Sequence, residues 1–466
     1  MTIVTFFGGA IKVLCLPLSP LDHPCYNKGM NRPTYTVPYD RGELAFELPP
    51  GVSGTVILPR PMPPLPDVGA AVRAALAAPV AGPRLRDLPG VQPGATVCIV
   101  VTDVTRASPD ALIVPALLDE LAAGGVRDAD ITILVGVGLH RPSTPEEHVE
   151  ELGQAVLDRV RVLDHRAQDP GELTDLGQAG TLLPIPAVLN RRAVAADVLI
   201  ATGIVEPHQF AGYSGGRKTV AIGVAGEATI AATHGPRFLD HPGTRLARID
   251  GNPFHEAVTE IAARAGLRFI VNVVCDGDHR PVAVRAGAPT PTFEALVALA
   301  AQLYTVPVPH AYDVAIGGVG WPKDTNLYQA SRAASYLAFA PTPVVRPGGA
   351  FIIPARCGEG AGAGTGEQRF FRAMADAPSV GWILEDARAN GYPPGGQRAF
   401  VMAKVLEQHP VIIVGADDPA MIAAAKFTPA ATLAEAFALV AQAGPLQDAL
   451  IVPHALLTLP DVKREM

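Results

Sequence analysis

The feature that most restricts how this chain can fold is a recurring unit: a short apolar run of β-forming residues, a polar loop, and a helix-patterned stretch. Thr96 to Val101 reads as a buried strand that passes through Asp103-Val104-Thr105-Arg106 into a helical stretch ending near Ala123-Gly124-Gly125. Ile131 to Val137 repeats the unit. It runs into Gly138-Leu139-His140-Arg141, and Thr144-Pro145-Glu146-Glu147 then has the form of a capping box with proline at the first helical position. A third strand, Asp197 to Thr202, opens into Glu206-Pro207-His208, a glycine-rich loop and the helical run Gly226 to Thr233. Strands that alternate with helices predict an α/β fold, with a mostly parallel sheet covered on both faces and ligands gathered outside the carboxyl ends of its strands. All three polar loops fall at that end.

A further strand, Arg268 to Val274, turns at Asp276-Gly277-Asp278, and a second alternating series opens at Asp313 to Ile316. It continues through a helix Leu327 to Phe339, a strand Ala350 to Pro354, a helix Phe400 to Gln408, a strand Val411 to Val414, a helix Thr432 to Ala443 and a strand Leu450 to Pro453. The boundary is expected near residue 305, giving domains 30–305 and 306–466. The Gly/Ala run Gly358 to Gly366 reads as a mobile loop. Residues 1–29 read as an extension unlike the rest of the chain, with Met30 as the expected start of translation.

Composition narrows the function classes. The 466 residues are 48% hydrophobic and 18% charged, which describes globular domains rather than disorder. A net charge of -8 supplies no broad field for nucleic acid or anionic lipid, so neither is an expected partner. The five cysteines, Cys15, Cys25, Cys98, Cys275 and Cys357, are widely spaced and form no CxxC pair, which argues against disulfides and a structural zinc. Ile3 to Leu18 is too short and too interrupted for a membrane span and lacks the basic start of a signal peptide, so a cytoplasmic protein is expected.

The segment EPHQFAGYSGGRKTVAIGVAGEATIAATHG, residues 206–235, is the densest in chemistry. Gly212, Gly215 and Gly216 would let backbone N–H groups approach an anion, and the helix after them would add its positive end. An isolated glycine cluster is as readily a tight surface turn. Gly212 to Thr219 nearly fits a phosphate-binding P-loop, but Arg217 stands where glycine belongs before the lysine, and the dinucleotide spacing fails too. His140, His208 and His234 each read singly as core or capping histidines; together, on the functional side of predicted strands with Asp103 and Arg106, they read as a site. Arg106 can grip a carboxylate through two parallel hydrogen bonds, with Asp103 holding it or orienting a histidine. Tyr328, Gln329 and Arg332, about one helical turn apart, can face the same cleft or simply begin an amphipathic helix.

The combination of DVTR, GLHR, EPHQFAGYSGGRK, a histidine sixteen residues after its lysine, and LYQASR resembles the lactate racemase family that uses a nickel-pincer nucleotide. The resemblance runs from about residue 33 to the C-terminus. It implies two Rossmann-like domains with the active site in the cleft between them, the first of which, 30–305, binds the cofactor and carries the catalytic residues. The implied cofactor is a pyridinium-3-thioamide-5-thiocarboxylic acid mononucleotide holding nickel, made by separate cofactor-biosynthesis enzymes. Carried over by residue, Lys218 would be the covalent tether and His234 the protein's nickel ligand, with Asp103, Thr105, Gly215 and Gly216 on the cofactor. His140 and His208 would be the paired acid/base residues, and Arg106, Tyr328, Gln329 and Arg332 would bind substrate. Arg332 stands where lactate racemases have lysine, which weakens the case for lactate itself. The implied reaction inverts C2 of a 2-hydroxy acid by reversible hydride transfer through a 2-keto acid. The competing expectations are a P-loop-like nucleotide hydrolase and a non-enzymatic organic-acid-binding protein.

Overall fold

The computed structural model describes residues 32–463 except 107 and 394. The expected extension 1–29, with Cys15 and Cys25, lies outside these residues. Two sheets of six strands each organise the chain. In the first, the order is Pro281–Gly287, Leu267–Cys275, Val198–Ile204, Val97–Thr102, Ile131–Gly136, Arg161–Asp164; all neighbours are parallel except the antiparallel edge strand Pro281–Gly287. Both faces are covered, as the continuous apolar runs require. Along Val97–Thr102, Val97, Ile99 and Val101 pack against Ile113, Leu117 and Leu121, while Cys98 and Val100 turn to the other core with Leu199, Ala201 and Val220.

The second sheet has the order Thr428–Ala430, Val411–Val414, Val345–Pro354, Tyr312–Gly317, Asp448–Val452, Ser53–Val56, parallel throughout. Its edge strand departs from the sequence reading, which put all of 30–305 in the first domain. Ser53–Val56 pairs with Asp448–Val452, and Val37 and Phe46 of the hairpin Thr34–Tyr39/Gly42–Glu47 pack with Val314, Ile316 and Phe437. The described residues therefore start in the second body, cross to the first, and return.

Local signals behave as their chemistry dictates. Thr144 and Glu147 form the reciprocal capping box, with Glu147 Oε2 accepting from the Thr144 N–H at 2.8 Å. The expected loop 358–366 is turn and bend as far as Gly364, after which the helix Thr365–Asp376 begins. Cys98, Cys275 and Cys357 are buried and unpaired. No helix among the described residues is long and apolar enough to cross a membrane.

Candidate functional site

In the first sheet the chain moves outward from Val97–Thr102 to Ile131–Gly136 and Arg161–Asp164, then resumes on the opposite side with Val198–Ile204. That reversal leaves a crevice above the carboxyl ends of the central strands, where loops on either side diverge. A cavity of about 760 Å³ occupies it, with Thr102, Gly136 and Ile204 at its floor. The second body closes the other side through Tyr328 and Arg332 of the helix Leu327–Ala338, and Gln397, Arg398 and Val401 of the helix Gln397–Gln408.

Of the residues singled out by sequence, Asp103, Arg106, His140, His208, Gly215, Lys218, His234, Tyr328 and Arg332 all line this cavity. Thr105, Gly216 and Gln329 do not line it. Thr105 Oγ1 instead donates to Asp103 Oδ1 at 2.6 Å. A side chain at Gly216 would strike Asn272 Oδ1 and Ile270 Cγ2, each 3.1 Å from a Cβ placed there, so its smallness serves packing of the loop on the sheet. Gln329 accepts at Oε1 from Arg332 Nη1 at 3.3 Å.

Each histidine is set in a defined state by the partner of Nδ1. His140 Nδ1 lies 2.5 Å from Asp103 Oδ2. The carboxylate can only accept, so the proton sits on Nδ1 and the Nε2 lone pair is free. Burial pushes the Asp103 carboxyl up, but the hydrogen bonds from His140 and Thr105 outweigh it and hold it below the usual carboxylate range. His234 Nδ1 lies 2.9 Å from the Ile230 carbonyl, which likewise leaves Nε2 bare. Burial, with the nearby Lys218 charge, pushes His234 down to about 4, so the ring is neutral near pH 7. Phe254 stands edge-on to it at 5.2 Å and Phe210 at 5.7 Å.

His208 is different. Its Nδ1 accepts from the Phe210 and Ala211 N–H groups at 3.2 and 3.1 Å, so its proton is on Nε2. Burial and the charges of Lys218 and Arg106 hold its pKa well below the ordinary histidine value. The backbone that presents it is a small hairpin, Pro207–His208 against Gly212–Tyr213, pinned where Ser214 Oγ donates to the Ile204 carbonyl at 2.6 Å.

Lys218 ends the first helical turn after Gly215, whose φ of +140° only glycine adopts readily. Burial, then the charge of Arg106, pushes its amine down to about 7. Arg106 stands 3.6 Å from Glu206. The near-P-loop is something else: the guanidinium of Arg217 lies 3.5 Å over the Phe293 ring and donates to Thr259 Oγ1 at 2.7 Å. Thr219 Oγ1 donates to the Thr202 carbonyl at 2.9 Å, a hydroxyl spent on the fold rather than left for a phosphate-bound cation.

Sequence reading passed over Glu206 as a partner for Arg106, the Phe210 and Phe254 rings packed against His234, and Arg398, Arg369 and Tyr392 on the second body. For Arg398 a signal existed. Gly395-Gly396-Gln397-Arg398 repeats the form of Gly215-Gly216-Arg217-Lys218, a glycine pair leading a cation into the first turn of a helix.

Residues 39–247 match the family model described as the lactate racemase N-terminal domain, and residues 309–454 match the lactate racemase C-terminal domain. The chain is 31% identical over 383 residues to the lactate racemase of Thermoanaerobacterium thermosaccharolyticum, covering 81% of this chain and 87% of that protein. It is 34% identical over 348 residues to the lactate racemase of Lactiplantibacillus plantarum, covering 73% of this chain and 78% of that one. The solved lactate racemase apoprotein from Thermoanaerobacterium thermosaccharolyticum superposes with a TM-score of 0.77 at 27% identity, over 92% of this chain and all of that one (100%). A Thermotoga maritima protein at 18% identity and a TM-score of 0.59, covering 85% of this chain and 98% of its own, shares the fold.

Proposed function

The chain belongs to the lactate racemase family, and from that premise we propose that it inverts C2 of a 2-hydroxy acid, lactate or a relative of it, with a nickel-pincer nucleotide tethered to Lys218. The observation that carries this reading is the gathering of two histidines held in opposite tautomers, a depressed lysine and a third histidine with its Nε2 free around one cavity.

The residues suit the cofactor. Lys218, about half neutral near pH 7, can be acylated, and His234 offers Nε2 to a metal. No three His, Cys, Asp or Glu side chains among the described residues gather as a metal cage. The soft sulfur donors that the cofactor would supply suit nickel.

Inversion by proton removal at C2 would need a dianionic enolate next to an ionised carboxylate. When bound, the cofactor supplies an acceptor that lets the C2 hydrogen leave as hydride, making the 2-keto acid the halfway point. The chain then has three tasks. Arg106 holds the carboxylate as a fork. His140 Nε2 takes the hydroxyl proton, and Asp103 stabilises the imidazolium so formed. His208 faces the oxygen with Nε2–H; to take a proton for the other enantiomer it must first move its own to Nδ1 and release the Phe210 and Ala211 amides.

The test is chiral chromatography of protein loaded with cofactor. His140→Ala and His208→Ala should each lower interconversion by about 10²-fold or more, in line with loss of an acid/base group, while intact mass still reports the adduct on Lys218. Full turnover in either variant would contradict the assignment.

A further inference from the structure

The second body brings to the cavity two cations, Arg332 and Arg398, that form no ion pair with a carboxylate among the described residues. Arg398 is 7% exposed; its Nη1 and Nη2 donate to Ser335 Oγ and Ser331 Oγ, both at 2.9 Å, and its Nε is buried without a partner. Arg332, on the same helix as both serines, donates to Gln329 Oε1 at 3.3 Å and to the Tyr336 hydroxyl at 3.2 Å. Every one of these partners is neutral. Among the described residues no carboxylate is in ion-pair contact with either arginine; Glu206, which acts on Arg332 through space, is engaged with Arg106. Burial first, and then the charge of Arg332, push Arg398 down to about 9. A buried guanidinium that faces a second, half-buried cation is costly unless an anion joins them.

Resting on the proposed function, we propose that Arg332 and Arg398 form a second anion subsite for a carboxylate at the far end of the substrate, so that this chain takes a dianionic 2-hydroxy acid. Arg106 serves the carboxylate beside C2, from the first body. Arg332 and Arg398 serve the distal one, from the second. Arg106, His208 and Arg332 line one cavity, and the charges of both arginines act on His208. Lys218 and His234, the groups suited to the cofactor, both belong to the first body, which favours a substrate group over the cofactor phosphate as occupant of the arginine pair.

The test compares two ligands of equal chain length, a 2-hydroxy acid ending in a carboxylate and the same acid ending in a carboxamide. Calorimetric binding to the full chain and turnover by the cofactor-loaded enzyme are both measured. The dicarboxylate should bind roughly 10- to 100-fold more tightly, the range for a hydrogen-bonded charge. Arg332→Gln and Arg398→Met should each bring that ratio close to one, and thermal melts identify any variant that fails to fold, Arg332→Gln being the safer at its half-buried position. Equal binding of acid and amide by the unsubstituted protein overturns the subsite. So does an unchanged ratio in Arg332→Gln combined with loss of nickel and of the Lys218 adduct, which would assign the pair to the cofactor phosphate. A binding preference that persists in a loaded enzyme that inverts neither ligand keeps the subsite and rejects the racemase reading.

Discussion

Lys218 owes its lowered proton affinity to where it sits rather than to what it is. A lysine in water is protonated until pH nears 10, whereas this amine, desolvated and beside Arg106, gives up its proton near 7. The neutral fraction rises as pH passes upward through 7, so labelling by an acylating reagent should follow a midpoint near 7 at Lys218 and far higher at exposed lysines. Peptide mapping by mass spectrometry across pH 5 to 10 reads this; a midpoint near 10 would contradict it. The identity of Lys218, His140, His208 and His234 as site candidates was legible from the sequence. Their proton positions were not, because these depend on Asp103 for His140, on the Ile230 carbonyl for His234 and on two amides for His208. The unpaired state of Arg398 was hidden for the same reason: it depends on what surrounds a side chain, not on its type.

At the scale of elements, the glycine-rich loop is a folding device as much as a binding one. Gly212 has φ +74°, and a Cβ there would fall 2.1 Å from the Arg248 carbonyl oxygen, whereas Gly251, at φ +66°, has nothing within 4 Å. Gly212→Ala should therefore cost about 2–3 kcal/mol and Gly251→Ala about 1 kcal/mol in urea unfolding, since only the first adds a backbone clash to left-handed strain. Equal losses would show that the close approach does not matter. The long strands and capped helices were readable because apolar period and cap chemistry are local: the predicted strand Val411 to Val414 coincides with the observed one, and Thr144 caps as its motif implies. Ser53–Val56 was not readable. Four residues carry no period, and what makes them a strand is pairing with Asp448–Val452 at the other end of the chain.

Across the whole molecule, the two bodies meet around the site rather than beside it. Tyr392 donates its hydroxyl to the backbone carbonyl of His234 at 2.6 Å, Arg388 and Lys404 hold Asp240, and Arg245 donates to the carbonyls of Ala338 and Ala340. The second body thus touches the segment that carries the proposed metal ligand, and it also brings Arg332 and Arg398 to the same cavity. Such an arrangement suits a reaction in which a 2-keto acid must be kept in place between two half-reactions and shielded from water. The central claim is that C2 is inverted by hydride transfer, with the histidines handling only the hydroxyl proton. The most direct measurement is conversion of one pure enantiomer of a 2-hydroxy acid by the cofactor-loaded enzyme in deuterium oxide, with C2 isotope content read by NMR. The account predicts that the opposite enantiomer forms with protium retained at C2; deuterium appearing at C2 as inversion proceeds would contradict it.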